Sequence, residues 1–177
     1  MTVPARPADL VNPRAGEQLW FETDQTGTRI QGLCPAHSPG PPMHRQMRTE
    51  ENPTVVRGRI RYIVDGRVHE LGPGDSLVIP AGAPHRFENP YDEEAEIDNR
   101  TRPRVVHEVG LRLLYAATAR RRPNPLELAV AFHDGDNYPA VLPPPVAMAL
   151  VTVLYSISKV TGVANRFRQA VLPASLA

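Results

Sequence analysis

The sequence predicts an all-β fold, an antiparallel barrel or sandwich, followed by short C-terminal α-helices. Twenty prolines and twelve glycines in 177 residues are a high share of turn-forming residues. They suit many short strands better than a helical bundle. Between Glu17 and Glu108 the chain consists of short β-type runs separated by turn signals. So many short strands at close spacing indicate an antiparallel barrel or sandwich.

The longest predicted strand covers residues 54–64. Every second residue from Val56 to Val64 is almost always apolar, which is the period of two expected of a half-buried strand. Asp65 and Gly66 follow as a two-residue hairpin turn, because glycine tolerates the positive φ that such turns require. Shorter strands are predicted at residues 19–22, 28–33, 68–71, 76–80, 85–88, 95–99 and 105–109.

The remainder of the chain divides into an extended arm and a helical extension. Residues 1–16 are predicted to form the arm, residues 17–110 the barrel, and residues 111–177 helices packed on the barrel or on a dimer. The helices are expected at 111–120, 126–132 and 146–155. The last is too short to span a bilayer, which needs roughly 20 residues. We expect it to be buried or to form a dimer interface; a lid over a ligand pocket and a surface-lying membrane helix are the alternatives.

Composition excludes several classes of function. The formal net charge is +1, which gives no electrostatic reason to expect nucleic acid as a partner. A single cysteine, Cys34, excludes an intrachain disulfide and predicts a reducing compartment. Residues 1–12 lack the apolar core of a secretory signal. A cytoplasmic protein without a membrane span is expected. The sequence shows no nucleophile elbow, no Gly-rich phosphate loop and no helix-turn-helix segment.

Four side chains are the candidate metal ligands. His44 and Gln46 are two residues apart, so on a strand they point to the same face. Glu51 would arrive from beyond a bend, and His85 from a facing strand. Imidazole and carboxylate in this arrangement suit a first-row divalent metal ion. The sequence leaves the ion open among Fe, Mn, Ni, Co, Cu and Zn.

The segment from Gly74 to Asn89 resembles the second conserved motif of the cupin family. That motif runs Gly, five residues, Pro-x-Gly, two residues, His, three residues, Asn. It is met at every position, by Gly74, Pro80, Gly82, His85 and Asn89. Glycines at 74 and 82 would serve tight turns in which a Cβ is unwelcome.

The first cupin motif is met in part, by His44, Glu51 and Gly58. It departs at Gln46, where the family more often has histidine, and its leading glycine is displaced. The family allows either Glu50 or Glu51 as the carboxylate, and the six residues before Gly58 favour Glu51. Together the motifs and their strands cover residues 33–89.

The resemblance implies a jelly-roll β-barrel with a metal ion at its centre and a pocket at one end. It also implies many possible chemistries, among them those of dioxygenases, isomerases, epimerases, decarboxylases, lyases and sugar-binding or storage proteins, and a fold does not choose between them. The C-terminal part is similar to an extension found in some bacterial single-domain cupins.

Gln46 leaves three arrangements open. The metal ion is bound by all four residues, or by His44, Glu51 and His85 alone with Gln46 beside them, or the site has lost its metal and only hydrogen-bonds a ligand. Two histidines and one carboxylate form the facial arrangement of non-haem Fe(II) oxygenases. The sequence therefore favours a metal-dependent dioxygenase in which the substrate loses a proton to Glu51 or to bound hydroxide. A metal-dependent isomerase or lyase and a non-catalytic binding module are the alternatives.

The expected partners are a small, hydrophobic substrate and a second copy of the chain, since edge strands and the apolar helix favour a homodimer. His37 is expected in a loop and His69 on a solvent-facing strand. His107 is placed on a late strand, where its parity decides whether it enters the barrel. His133, with Asp134 and Asp136, is assigned to a solvated loop.

Overall fold

The fold is described from a computed structural model that covers residues 3–176; the first two residues of the predicted arm and Ala177 lie outside it. Within this range two five-stranded antiparallel sheets and four helices are present. The strands are β1 (Leu10–Val11), β2 (Gln18–Thr23), β3 (Thr28–Cys34), β4 (His44–Gln46), β5 (Glu50–Arg57), β6 (Ile60–Val64), β7 (Arg67–Leu71), β8 (His85–Glu88), β9 (Ala95–Arg102) and β10 (Asn137–Pro139). The helices are α1 (Val106–Thr118), α2 (Pro125–Asp134), α3 (Pro144–Val160) and α4 (Val163–Val171).

The strands pair in the orders β1-β2-β3-β9-β5 and β10-β4-β8-β6-β7. Neighbours such as β3 and β9, or β4 and β8, are distant in the sequence. The main apolar core consists of side chains from both sheets, including Val55, Ile60, Tyr62 and Ile97. This two-sheet arrangement agrees with the expected all-β, jelly-roll-like fold class with C-terminal helices.

Most of the predicted strands are confirmed, and the predicted turns have the expected backbone. Asp65 and Gly66 have φ of 49° and 75°, and Gly74 and Gly82 have φ of 90° and 87°. The predicted strand 76–80 is wrong as a regular strand. Its residues form only isolated bridges to β5.

The long run at 54–64 is two strands rather than one. The β5–β9 pairing shifts register between Val55 and Arg57, and the chain then turns at Gly58, where φ is 75°. A Cβ at Gly58 would lie 2.3 Å from the carbonyl oxygen of Glu94. The bulge exchanges the two faces, so Val55 is buried in β5 although even-numbered residues are buried in β6.

The predicted strand at 105–109 is wrong, because these residues begin helix α1. The buried positions Gly110, Leu113 and Ala117 follow a helical period, which continues the helix predicted at 111–120. The N–H of Val105 donates to Oγ1 of Thr28 on β3 at 2.8 Å, so α1 begins against the first sheet. Tertiary packing here overrides the local β-propensity of the valines.

The helices form a second apolar core that lies beside the sheets. Leu113, Val130, Ala164 and Phe167 are buried together in it. The predicted helices at 126–132 and 146–155 are confirmed with longer bounds as α2 and α3. Helix α1 crosses the boundary predicted between residues 110 and 111, and the division into arm, barrel and extension stays a prediction.

The solvated loop expected around His133 is wrong. Asp136 is 1% exposed and its carboxylate accepts hydrogen bonds from the backbone N–H groups of Arg48 and Thr49 at 2.6 and 2.9 Å. The ring of His133 stacks on that of Tyr155 with centroids 3.6 Å apart. These residues fasten the helices to the turn between β4 and β5.

Helix α3 carries little charge and leaves much apolar surface exposed. Lys159 is its one charged residue. Among the described residues, no single helix is both long and apolar enough to cross a bilayer; α3 and α4 pass that test only when taken together, and they are bent by 89°.

Candidate metal centre

Three of the predicted ligands meet between the two sheets. His44 on β4 is directly opposite His85 on β8 in the antiparallel register, and their ring centroids are 4.3 Å apart. Glu51 comes from β5 of the other sheet, where it is 6% exposed. One ligand atom from each of the three residues lies within 4.8 Å of the others. The sandwich therefore brings two imidazoles and one carboxylate to a common centre.

Backbone carbonyls fix the tautomers of both imidazoles. Nδ1 of His44 lies 2.9 Å from the carbonyl oxygen of Pro42, and Nδ1 of His85 lies 2.9 Å from that of Ala83. Because a carbonyl only accepts, each Nδ1 carries a hydrogen, which leaves Nε2 of each ring as the atom that can bind a metal ion once it is unprotonated. Such bonds orient metal-ligating histidines.

The environment holds Glu51 ionised. Burial alone would raise the pKa of Glu51, but the imidazoles of His107 and His85 outweigh it and hold the pKa well below its usual range. Oε1 of Glu51 lies 3.3 Å from Nε2 of His85, and Oε2 accepts a hydrogen bond from Nδ2 of Asn99 at 2.5 Å. The carboxylate of Glu51 thus has a fixed orientation and is ionised.

The two ligand imidazoles respond differently to burial. Burial, reinforced by the proximity of His85, lowers the pKa of His44 to about 4. Burial would also lower the pKa of His85, but the hydrogen bond and charge of Glu51 outweigh it and the net shift is upward. His44 is therefore neutral near pH 7, as a metal ligand must be.

Gln46 occupies the position that the sequence assigned to it, on the same face of β4 as His44. It is 2% exposed, and its Nε2 lies 3.3 Å from Nδ1 of His107. An amide nitrogen only donates, so in this orientation His107 accepts through Nδ1. Oε1 of Gln46 is buried and has no hydrogen-bond partner among residues 3–176.

Sequence reasoning missed Asn99, and it left open whether His107 enters the barrel. His107 belongs to α1 rather than to a strand, and its Nδ1 lies 3.5 Å from Oε1 of Glu51. Asn99 shares an inward face of β9 with Ala95 and Ile97, so the period of two contained a signal for it. For His107 the signal was the helical spacing that begins at Gly110. Because residues 105–109 were interpreted as a strand, this spacing was not extended back to His107.

The other candidates lie outside this group. Glu50, the rival of Glu51, is exposed on β5. His37 forms an exposed pair with Asp92 at 3.1 Å, in agreement with its assignment to a loop. His69 is half-buried on β7.

A cavity of about 120 Å³ opens beside the centre. His44, Glu51, His85, His107 and Asn99 form its polar end, and most other wall residues are apolar. Leu111 and Leu114 of α1 contribute to the wall, so the first helix closes one side of the cavity. A concave apolar space with a few convergent polar groups is typical of small-molecule sites.

Comparison with known proteins finds a cupin domain within the chain. Residues 33–98 match the family model of the cupin domain. No curated protein sequence matches the chain. Similar solved structures include the cupin domain of Schizosaccharomyces pombe Cnp3, with 11% identity, a TM-score of 0.44, and coverage of 48% of this chain and 63% of that one.

Two further solved structures are similar to this chain over about half of its length. A cupin-superfamily sugar phosphate isomerase from Silicibacter pomeroyi has 21% identity and a TM-score of 0.46, with coverage of 55% of this chain and 66% of that one. KdgF from Halomonas sp. has 20% identity and a TM-score of 0.45, with coverage of 50% and 81%. The chain thus spans less than two thirds of the Cnp3 domain and of the isomerase. At these values the three structures give no information on the activity of this chain. Residues 33–98 are thus similar to the cupin domain, and the chain continues beyond them into a helical C-terminal part.

Proposed function

We propose that this cupin binds one divalent transition metal through His44, Glu51, His85 and Gln46, and uses it as an oxygenase acting on a small organic molecule in the cavity. The observation that carries the proposal is the convergence of three ligand atoms within 4.8 Å at the polar end of that cavity. Among residues 3–176 this is the one such group of histidine, cysteine and acidic side chains.

The donor set fits such an ion. Two imidazoles and one carboxylate match the ligand preferences of first-row divalent metals. Buried polar atoms normally have a partner, and the unpartnered Oε1 of Gln46 supplies a further oxygen donor. The bound ion would supply Lewis acidity and, if redox-active, a site for O₂ chemistry.

The protein groups around the centre have separate tasks. Pro42 and Ala83 orient the two imidazoles through their carbonyl oxygens. Asn99 holds the second oxygen of Glu51. The low pKa of Glu51 makes it a weak proton acceptor, which favours its role as a ligand; its predicted role as catalytic base stays a prediction. The apolar wall would exclude water from a bound substrate.

An oxygenase is preferred because His44, Glu51 and His85 form a two-histidine, one-carboxylate set, which leaves coordination positions for substrate and O₂. An oxygenase must stop turning over without O₂, whereas an isomerase or lyase continues. Anaerobic assays on any substrate found by oxygen-consumption screening therefore separate these activities.

The first experiment is elemental mass spectrometry of tag-free protein purified without chelator. We expect near-stoichiometric metal in the wild type and in Glu50→Gln, and its loss in His85→Ala and Glu51→Gln. The Glu50→Gln variant is a matched control because it removes an exposed carboxylate from the same strand. Stoichiometric zinc would favour Lewis-acid chemistry, and a wild type that takes up none of the candidate ions would refute the proposal.

The role of Gln46 needs a measurement of coordination. If its Oε1 is a ligand, Gln46→Ala will change the visible absorption spectrum of the cobalt-substituted protein. An unchanged spectrum would leave His44, Glu51 and His85 as the whole protein ligand set.

A further inference from the structure

The cavity has a second polar end that the proposed metal chemistry does not use. Glu17, immediately before β2, lines the same cavity as His44 and Glu51 and is 4% exposed. In the sequence, Glu17 marks only the beginning of the predicted barrel.

Three neutral side chains hold the carboxylate of Glu17. Oε1 accepts a hydrogen bond from Oγ of Ser38 at 3.0 Å. Oε2 accepts from Nδ2 of Asn12 at 2.5 Å and from the hydroxyl of Tyr115 at 3.3 Å. A carboxylate has about four acceptor positions, so one remains free.

The charge of Glu17 has no counter-charge within residues 3–176. All three of its hydrogen-bond donors are neutral, and no arginine, lysine or histidine of this range forms an ion pair with it. Buried charges in proteins are normally paired. An oriented, buried and unpaired carboxylate in a cavity wall is therefore suited to a cation that enters the cavity.

The walls between the two ends also suit an organic cation. They include Leu19, Ile30 and Ile97, which would contact an apolar chain, and the aromatic rings of Tyr62 and Tyr115. Aromatic faces attract cations, and a hydrogen bond between ammonium and carboxylate is about twice as strong as one between neutral groups.

We infer that Glu17 is a specificity-determining residue that binds a protonated amine. The inference rests on the proposed function, because the other end of the bound substrate would carry an oxygen donor that faces His44, Glu51 and His85. The substrate class is thus small amines with an apolar middle and an oxygen-bearing far end. A neutral alcohol would fill the same space but leave the charge of Glu17 unpaired.

The test uses probes that engage only the amine end. Alkylammonium ions from ethyl to hexyl are titrated into the full chain and followed by NMR, beside alcohols and carboxylates of the same lengths. At the best length we expect the ammonium to bind the wild type at least tenfold more tightly than the alcohol, and the carboxylate more weakly still. The amide signals of Glu17 and Ser38 should shift with the ammonium and not with the carboxylate.

Two matched variants separate recognition from general electrostatics. Glu17→Gln preserves the shape and removes the charge, so the preference for ammonium over alcohol should fall at least tenfold. Glu50→Gln removes an exposed carboxylate and should leave the preference unchanged. If Glu17→Gln does not fold, the comparison of the ammonium, alcohol and carboxylate probes on the wild type still tests the inference.

The inference is overturned if ammonium shows no advantage at any length, if nothing binds, or if Glu17→Gln keeps the preference. Metal content is measured on the same samples and should be equal in the wild type and Glu17→Gln. A metal-free protein that still prefers ammonium would refute the metal proposal alone. A metal-loaded protein without that preference would refute the role of Glu17 alone.

Discussion

At the scale of single residues, the candidate centre depends on the candidate ligands and equally on the neighbouring groups that orient them. His44 and His85 each donate Nδ1–H to the carbonyl oxygen two residues earlier, so the backbone just before each strand sets the ring orientation. Glu51 has no such backbone bond to its carboxylate and relies on Asn99 of the neighbouring strand β9. The orientation of the carboxylate therefore depends on side chains, with the amide of Asn99 on Oε2 and the imidazole of His85 near Oε1.

Asn99→Ala should weaken metal binding without unfolding the protein. Removing the amide releases one oxygen of Glu51, and loss of such an outer partner typically costs about 10-fold to 100-fold in metal affinity. Competition with a chromogenic chelator measures this. Asn52→Ala, which removes an exposed asparagine from β5, is the control and should bind metal like the wild type. Equal affinities in both variants would show that Asn99 does not position Glu51.

Cys34 should be almost unreactive in the folded protein. Burial, together with the charge of Glu17, raises the pKa of its thiol to about 12, and the residue is 2% exposed. The thiol is protonated below its pKa, so at pH 8 roughly one molecule in ten thousand carries the reactive thiolate. Alkylation by iodoacetamide at pH 8 should be at least a hundredfold slower than in the urea-unfolded chain. Rapid labelling without denaturant would contradict the burial of this strand.

At the scale of elements, helix α1 has two functions, because it closes the cavity with its first turns and packs on α2 with the remainder. The backbones of the two helices approach closely at Gly110 and Gly135. A Cβ added at Gly110 would lie 2.6 Å from Cα of Gly135. The position of His107, three residues earlier, thus depends on a helix contact that has no room for a methyl group.

Gly110→Ala should destabilise the protein although alanine is the better helix former. The propensity gain of up to about 1 kcal/mol is outweighed because the helices must separate, and we expect a net loss of about 2 kcal/mol. Urea unfolding measures the change. Gly72→Ala is the control, since its new Cβ would meet nothing closer than 3.8 Å, and it should change stability by less than about 0.5 kcal/mol. A stabilised Gly110→Ala would disprove the close helix contact.

At the scale of the whole molecule, charge is balanced on the surface while apolar area is not. Arg57, Arg59 and Arg61, a positive stripe in the sequence, each pair with glutamates of this chain. The stripe is thus neutralised internally. By contrast, α3 exposes an apolar seam at spacings of four and three residues, formed by Val146, Leu150, Val153, Ile157 and Val160. A 3.5-residue period is that of helices paired side by side.

The homodimer expected from the sequence should form through this seam. Analytical ultracentrifugation should show a dimer for the wild type and a monomer for Val153→Glu, because a charge at the centre of the seam would be buried without a partner. Thr152→Glu adds the same charge beside the seam and should remain dimeric. A monomeric wild type, or a dimer unaffected by Val153→Glu, would exclude the α3 interface. The cytoplasmic location stays a prediction.

The sequence by itself identified the candidate ligand residues and most of the β-structure. His44, Glu51 and His85 were identifiable because metal chemistry restricts residue type and motif spacing, and the turns at Gly66, Gly74 and Gly82 because positive φ favours glycine. Alternation of apolar side chains located the strands, because a half-buried sheet imposes a period of two on the sequence.

Only the tertiary structure decided what surrounds those residues. Local patterns do not encode contacts between β5, β9 and α1, so Asn99 and His107 were not recognised as neighbours of Glu51. The valines at 105–109 have strand propensity, but packing of α1 against β3 and α2 makes them helical. The buried carboxylate of Glu17 likewise became visible only when Ser38 and Tyr115 were brought from distant parts of the chain to join Asn12 around it. Burial and long-range pairing are properties of the folded chain, and a period read along the sequence does not contain them.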